Sequence, residues 1–128
     1  MIHKGRMLLV YRNTPPIAWA PPGGRLLRGE NPYEGLQREV YEECRLQVDI
    51  VEPTTIWFGL HKGIHTIGIF FLCRIVAGDL NLSHEHSAAK WFSLEEIQKC
   101  LELDSNNIAF GSYSDYKRAF VIANIDSH

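Results

Sequence analysis

Residues 24–46 read GRLLRGENPYEGLQREVYEECRL. The spacing predicts a short helix after Glu30. Asn31 suits the N-cap, and Pro32 falls on the first helical position, where its missing N–H is no loss. Residues three and four apart are neighbours on a helix, so Glu39 lies beside Glu42 and Glu43 on one ridge. Leu36 and Val40 face the other way and are what a core would bury. Carboxylates this close repel unless a cation sits between them, and hard divalent cations take oxygen ligands. Taken alone, a glutamate-rich helix is more often a solvated face laced with ion pairs. The preceding loop favours the cation: residues 20–24 read APPGG, stiff and then bare, as suits a backbone that approaches a ligand closely.

Gly24, Glu30, Arg38, Glu39, Val40, Glu42, Glu43 and Leu46 stand in one register that resembles the signature of the Nudix hydrolases (MutT-like), G-x5-E-x7-R-E-U-x-E-E-x-G-U with U a bulky aliphatic residue. One specified position departs: Arg45 replaces the final glycine. A glycine after a helix usually turns left-handed, at a cost of about 1 kcal/mol for a residue with a Cβ. Arg45 supplies no metal ligand, so the departure bears on the backbone more than on the chemistry.

The resemblance implies an α/β fold: an α/β/α sandwich with a mixed central β-sheet and the signature as a loop–helix–loop. It implies metal-dependent hydrolysis of the pyrophosphate bond in a nucleoside di- or triphosphate derivative, with Mg2+ or Mn2+ as cofactor. Glu39, Glu42 and Glu43 would be catalytic metal ligands, helped by the main chain of Gly23, and Glu30 and Arg38 would form a structural ion pair. Glu85, six residues before Trp91, is a candidate general base by the same resemblance; a solvated loop acid is the competing reading. His84 and His86 flank it and could meet phosphate or metal, though surface histidines are more common.

Trp19, Tyr11, Arg25 and Arg12 are candidates for substrate binding. Trp57 and Phe58 could stack on a base, and His61, Lys62 and His65 could meet phosphate. Isolated aromatics are more often core. The downstream proline or tyrosine that marks the ADP-ribose and dinucleoside-polyphosphate subgroups is missing, which counts against both. A Nudix-fold binding or regulatory module without turnover is the alternative to an enzyme. A plain α/β domain with an acidic solvated face is a third reading.

The chain has 128 residues, expected to be a single Nudix domain over 1–128. Hydrophobic residues make up 45% and charged residues 22%, which fits a soluble core-forming protein. The net charge of -2 gives no general attraction to nucleic acid or anionic membrane. No apolar run reaches the ~20 residues that span a bilayer, and the start lacks the apolar core of a secretory signal. Three widely spaced cysteines give no disulfide framework, so a reducing, cytoplasmic setting is expected.

Residues 6–12 (RMLLVYR) read as a strand, and 24–27 as a short one. Residues 47–60 look extended with an interruption at Pro53. Residues 64–76 (IHTIGIFFLCRIV) are continuous enough in apolar character to be a central strand. A strand over 88–93 leads into a helix from Leu94 to Leu101, capped by Ser93 with Glu96 completing a capping box. A last helix is expected over 112–123. Only Met1 to Gly5 precede the first strand, so the family's usual first strand is missing from the reading. A sheet position left open this way invites pairing, hence a possible homodimer.

Overall fold

Successive strand residues face opposite ways, so the apolar run 7–10 has to be buried on both faces. A computed structural model, which describes residues 1–126 without the side chains of His61 and Asp126, meets that demand. The two-residue strand β1 (Ile2–His3) turns into β2 (Arg6–Arg12). From β2, Leu8 and Val10 enter one apolar cluster with Val40, Cys44, Leu46, Val48 and Cys73. Met7 and Leu9 enter a second with Phe92, Ile97, Ile108, Tyr116 and Ala119. The first cluster includes side chains of helix α1 (Pro32–Cys44), the second those of α2 (Leu94–Leu103) and α3 (Tyr113–Asp126). One helix on one side of the sheet and two on the other make the α/β/α sandwich.

β2 is the sheet's organiser. β6 (His86–Phe92) pairs antiparallel along one of its edges, while β1 and β3 (Trp19–Ala20) share the other. Among the described residues all ladders between named strands are antiparallel, and the parallel contribution is a single bridge from Trp19 to Ile108. The capping box at Ser93 and Glu96 forms as expected. The last helix starts at Tyr113 and runs past Ala123 to Asp126.

Two expectations need correction. Residues 24–27 are loop, not strand. Their backbone is already committed: the Leu27 N–H donates to Glu30 Oε1 and the Arg25 carbonyl accepts from Arg38. The apolar segment 64–76 is not a central strand. It forms β5 (Ile64–Ala77), which among the described residues pairs only with β4 (Gln47–His61), the latter carrying a register shift after Pro53. Fifteen residues at ~3.3 Å each reach ~50 Å, longer than the ~36 Å breadth of a globule this size. The ribbon therefore overshoots the core. Leu72 and Cys73 are buried at its base, while Ile56, Phe58, Leu60, Ile67 and Ile69 stand exposed farther out.

Candidate active site

Helix α1 begins where the sequence allows it to. Asn31 Oδ1 accepts from the Tyr33 N–H at 2.8 Å, and Pro32 opens the first turn. It ends at Arg45, whose φ of 61° and ψ of 22° are left-handed. The arginine thus takes the conformation the missing glycine would have taken, and its guanidinium lies over the Tyr41 ring at 5.1 Å.

A forked ion pair ties the loop to this helix. Arg38 Nε and Nη2 donate to the two oxygens of Glu30 at 2.8 and 2.9 Å. The same carboxylate takes the Leu27 N–H, so Glu30 organises the loop as well as the helix. The Arg38 hydrogen bonds hold the Glu30 carboxyl at about 2. Arg38 Nη1 reaches the other way, to Glu39 Oε1 at 2.8 Å and Glu42 Oε2 at 3.1 Å. One guanidinium therefore spans three carboxylates.

The remaining acids are left in excess. Glu43 is only 5% exposed; its Oε2 accepts from the Gly23 N–H at 2.9 Å. Burial pushes its pKa up to about 8, with the charges of Glu39 and Glu85 adding to the rise. Burial also raises Glu39. A Cβ on Gly24 would stand 2.5 Å from Glu39 Oε2, so the bare backbone there is what lets this carboxylate lie against the loop.

Loop 78–85 is fastened to the end of α1, whose last carbonyls need donors. The Asn81 N–H donates to the Cys44 carbonyl and the Ser83 N–H to that of Glu43. The far side is held by Asn13, which gives its N–H to the Glu85 carbonyl and its Nδ2 to that of His84. These fastenings bring Ser83, His84 and Glu85 opposite Glu39, Glu42 and Glu43 across a cleft of about 320 Å³. Glu43, Glu85 and His86 have ligand atoms within 4.8 Å of one another. His84 is exposed, but His86 is buried, against the surface reading, and burial lowers its pKa. His86 opens β6 beside a register shift against β2, so simple alternation along the strand does not announce its inward position.

The donor set suits a divalent cation. Carboxylates outnumber the one guanidinium among them, Glu43 is held in a buried position that disfavours its charge, and the nearby His86 Nδ1 is buried without a hydrogen-bond partner.

The other candidates fall into separate places. Arg12 and Arg25 line a second, larger cavity of about 550 Å³ with Gly23, Gly24, Trp57 and Phe110. Arg12 lies over the Phe110 ring at 5.1 Å, and Trp57 meets that ring edge-on at 5.9 Å. Trp19 packs edge-on against both Tyr11 and Phe92, beside the core cluster and away from both cavities' linings. Phe58 stacks on His65 on the exposed face of the ribbon. Lys62 is exposed in the ribbon's turn, and the His61 side chain lies outside the described residues.

Known proteins are similar to this chain. The chain is 29% identical over 99 residues to a MutT-like protein of Streptomyces ambofaciens, an alignment covering 77% of this chain and 63% of that one. It is 28% identical over 123 residues to an asymmetrical bis(5'-nucleosyl)-tetraphosphatase of Caenorhabditis elegans, covering 91% of this chain and 88% of that one. The solved binary complex of a C. elegans Ap4A hydrolase superposes with a TM-score of 0.73 at 25% identity, over 96% of this chain and 88% of that one. A family model for the NUDIX domain matches residues 2–111. With Glu39, Glu42 and Glu43 of the signature at one cleft and the family model spanning nearly the whole fold, the chain belongs to the Nudix hydrolase family.

Proposed function

We propose that this protein hydrolyses the pyrophosphate bond of a nucleoside di- or triphosphate derivative with Mg2+ or Mn2+ as cofactor. The observation that carries the reading is the buried Glu43, its pKa raised to about 8 beside Glu39 and Glu85. A bound cation would neutralise the phosphate chain and acidify a water. Glu39, Glu42 and Glu43 would hold the cation; the Gly23 amide fixes Glu43, Arg38 fixes Glu39 and Glu42, and Glu30 fixes Arg38. Glu85, exposed at the cleft, takes the proton of the attacking water. Arg12, Trp57 and Phe110 offer charge and aromatic surface to the nucleotide in the adjoining cavity, with Arg25 at its edge.

The test is phosphate release from a panel that includes dinucleoside polyphosphates, ADP-ribose and deoxynucleoside triphosphates, with Mg2+ or Mn2+. Metal-dependent release that is lost in Glu42→Gln and Glu43→Gln supports the enzyme. No release while nucleotide still binds would favour a regulatory module.

Three wider assignments go with this reading. Residues 1–128 act as one Nudix domain. The free Cys44, Cys73 and Cys100 support a reducing, cytoplasmic setting. Two copies associate through the ribbon, where Ile56 opposes Ile69 and Phe58 opposes Ile67 on an exposed face. An exposed apolar patch of this kind marks an interaction site, and a twofold axis would set it against its own copy. Sedimentation should give a dimer that Ile67→Glu converts to monomer; a monomeric wild type would refute the interface.

A further inference from the structure

His86 stands out among the groups the proposed chemistry leaves unused. It is 8% exposed, and its Nδ1 is buried with no hydrogen-bond partner. Such an atom forfeits its contact with water and gets nothing in return, so it calls for a ligand. A ring nitrogen of His86 and a carboxylate oxygen each from Glu43 and Glu85 all lie within 4.8 Å of one another. Donors this close could converge on a single ion.

The backbone explains how adjacent residues reach one point. In a regular strand, Glu85 and His86 would face opposite ways. Here Glu85 lies outside β6, in a turn closed by the His86 N–H donating to the Ser83 carbonyl at 3.2 Å. The ladder opposite is irregular as well, with a register shift between Tyr11 and Arg12 where Arg12 pairs with His86. Bulges of this kind re-aim side chains.

We propose that His86 supplies an imidazole nitrogen to the cation bound by Glu43, and that this nitrogen makes the site select Mn2+ over Mg2+. The inference rests on the metal-site reading above and goes beyond it. Mg2+ is a hard ion that keeps oxygen ligands and gives up water reluctantly. Imidazole suits first-row transition ions, so one nitrogen in a carboxylate set shifts preference toward them. The signature acids alone are an oxygen set, which suits both ions.

The experiment is pulsed electron paramagnetic resonance of the full-length protein loaded with Mn2+, read alongside calorimetric titrations of Mn2+ and Mg2+. Wild type should show 14N modulation from a coordinated imidazole. His86→Asn should lose it while still binding Mn2+, and the ratio of Mn2+ to Mg2+ affinity should fall roughly tenfold. His84→Asn, its exposed neighbour, should keep the signal. Thermal melts of the metal-free variants check that both fold. Bound Mn2+ without 14N modulation in wild type would overturn the role of His86 and leave the carboxylate site standing. So would modulation that survives in His86→Asn. Failure of Mn2+ to bind at all would overturn both readings.

Discussion

Replacing Gly24 with alanine adds one methyl group at the point where the loop meets Glu39. The new Cβ would lie 2.5 Å from Oε2 and 2.6 Å from Cδ of that side chain, against an ordinary contact of 3.4 Å or more. Glu39 has to retreat by about 0.9 Å. The fold itself should hardly notice. The hydrogen bond from Arg38 to Glu39 need not be lost, because a shifted carboxylate can re-form it. Losing a glycine stiffens the unfolded chain and returns ~0.4–1 kcal/mol. Stability should therefore change by less than about 1 kcal/mol. Catalysis should not be spared, because a ~1 Å misplacement of a positioned group costs roughly 100-fold. The assay is kcat on the best substrate of the panel, with the melting temperature measured on the same preparation. Gly29→Ala is the matched control. Its φ of 77° is left-handed and nothing lies within 4 Å of its added Cβ, so it should lose about 1 kcal/mol of stability and keep its kcat. A Gly24→Ala protein whose kcat stays within about threefold of wild type would refute the reasoning, since transition-state stabilisation would then be intact.

Two further outcomes are expected. The pKa of Glu43 in the metal-free fold is about 8 against 4.5 for a free carboxyl, so the fold prefers its protonated form. Its contribution to stability is fully present below pH 4.5 and is lost as pH rises through 8. Each tenfold change in proton affinity between the folded and unfolded chain is worth roughly 1.4 kcal/mol, so the loss comes to a few kcal/mol in all. Denaturation in chelator at pH 5 and pH 8.5 should show this loss, and Glu43→Gln should abolish it; equal slopes in the two proteins would contradict the assignment. Arg45→Gly relieves a left-handed φ at the sacrifice of the stacking on Tyr41, and should stabilise the protein by about 0.5 kcal/mol in a denaturant titration. A destabilised variant would mean that the arginine is held by more than its backbone.

Much of this molecule is legible from local chemistry. Asn31 and Pro32 mark the start of α1, Ser93 and Glu96 the start of α2, and these signals answer the unpaired N–H groups that a helix terminus leaves. The left-handed Arg45 follows from the position of the missing glycine. The failures involve partners far along the chain. Nothing within residues 24–27 announces that Glu30 and Arg38 will occupy the backbone groups of this segment and so deny it a strand. The run 64–76 is apolar enough for a sheet interior, yet it lies in a ribbon that outreaches the core, and hydropathy does not record length relative to the globule. His84 and His86 look alike in sequence, and the register of β6 against β2 is what separates them.

Anomalous scattering from crystals grown with Mn2+ would test the central claim most directly. The account predicts a manganese peak in the cleft, within roughly 2–2.3 Å of carboxylate oxygens of Glu39 and Glu43. An active, manganese-dependent protein whose metal sits elsewhere, with these glutamates left free, would contradict it.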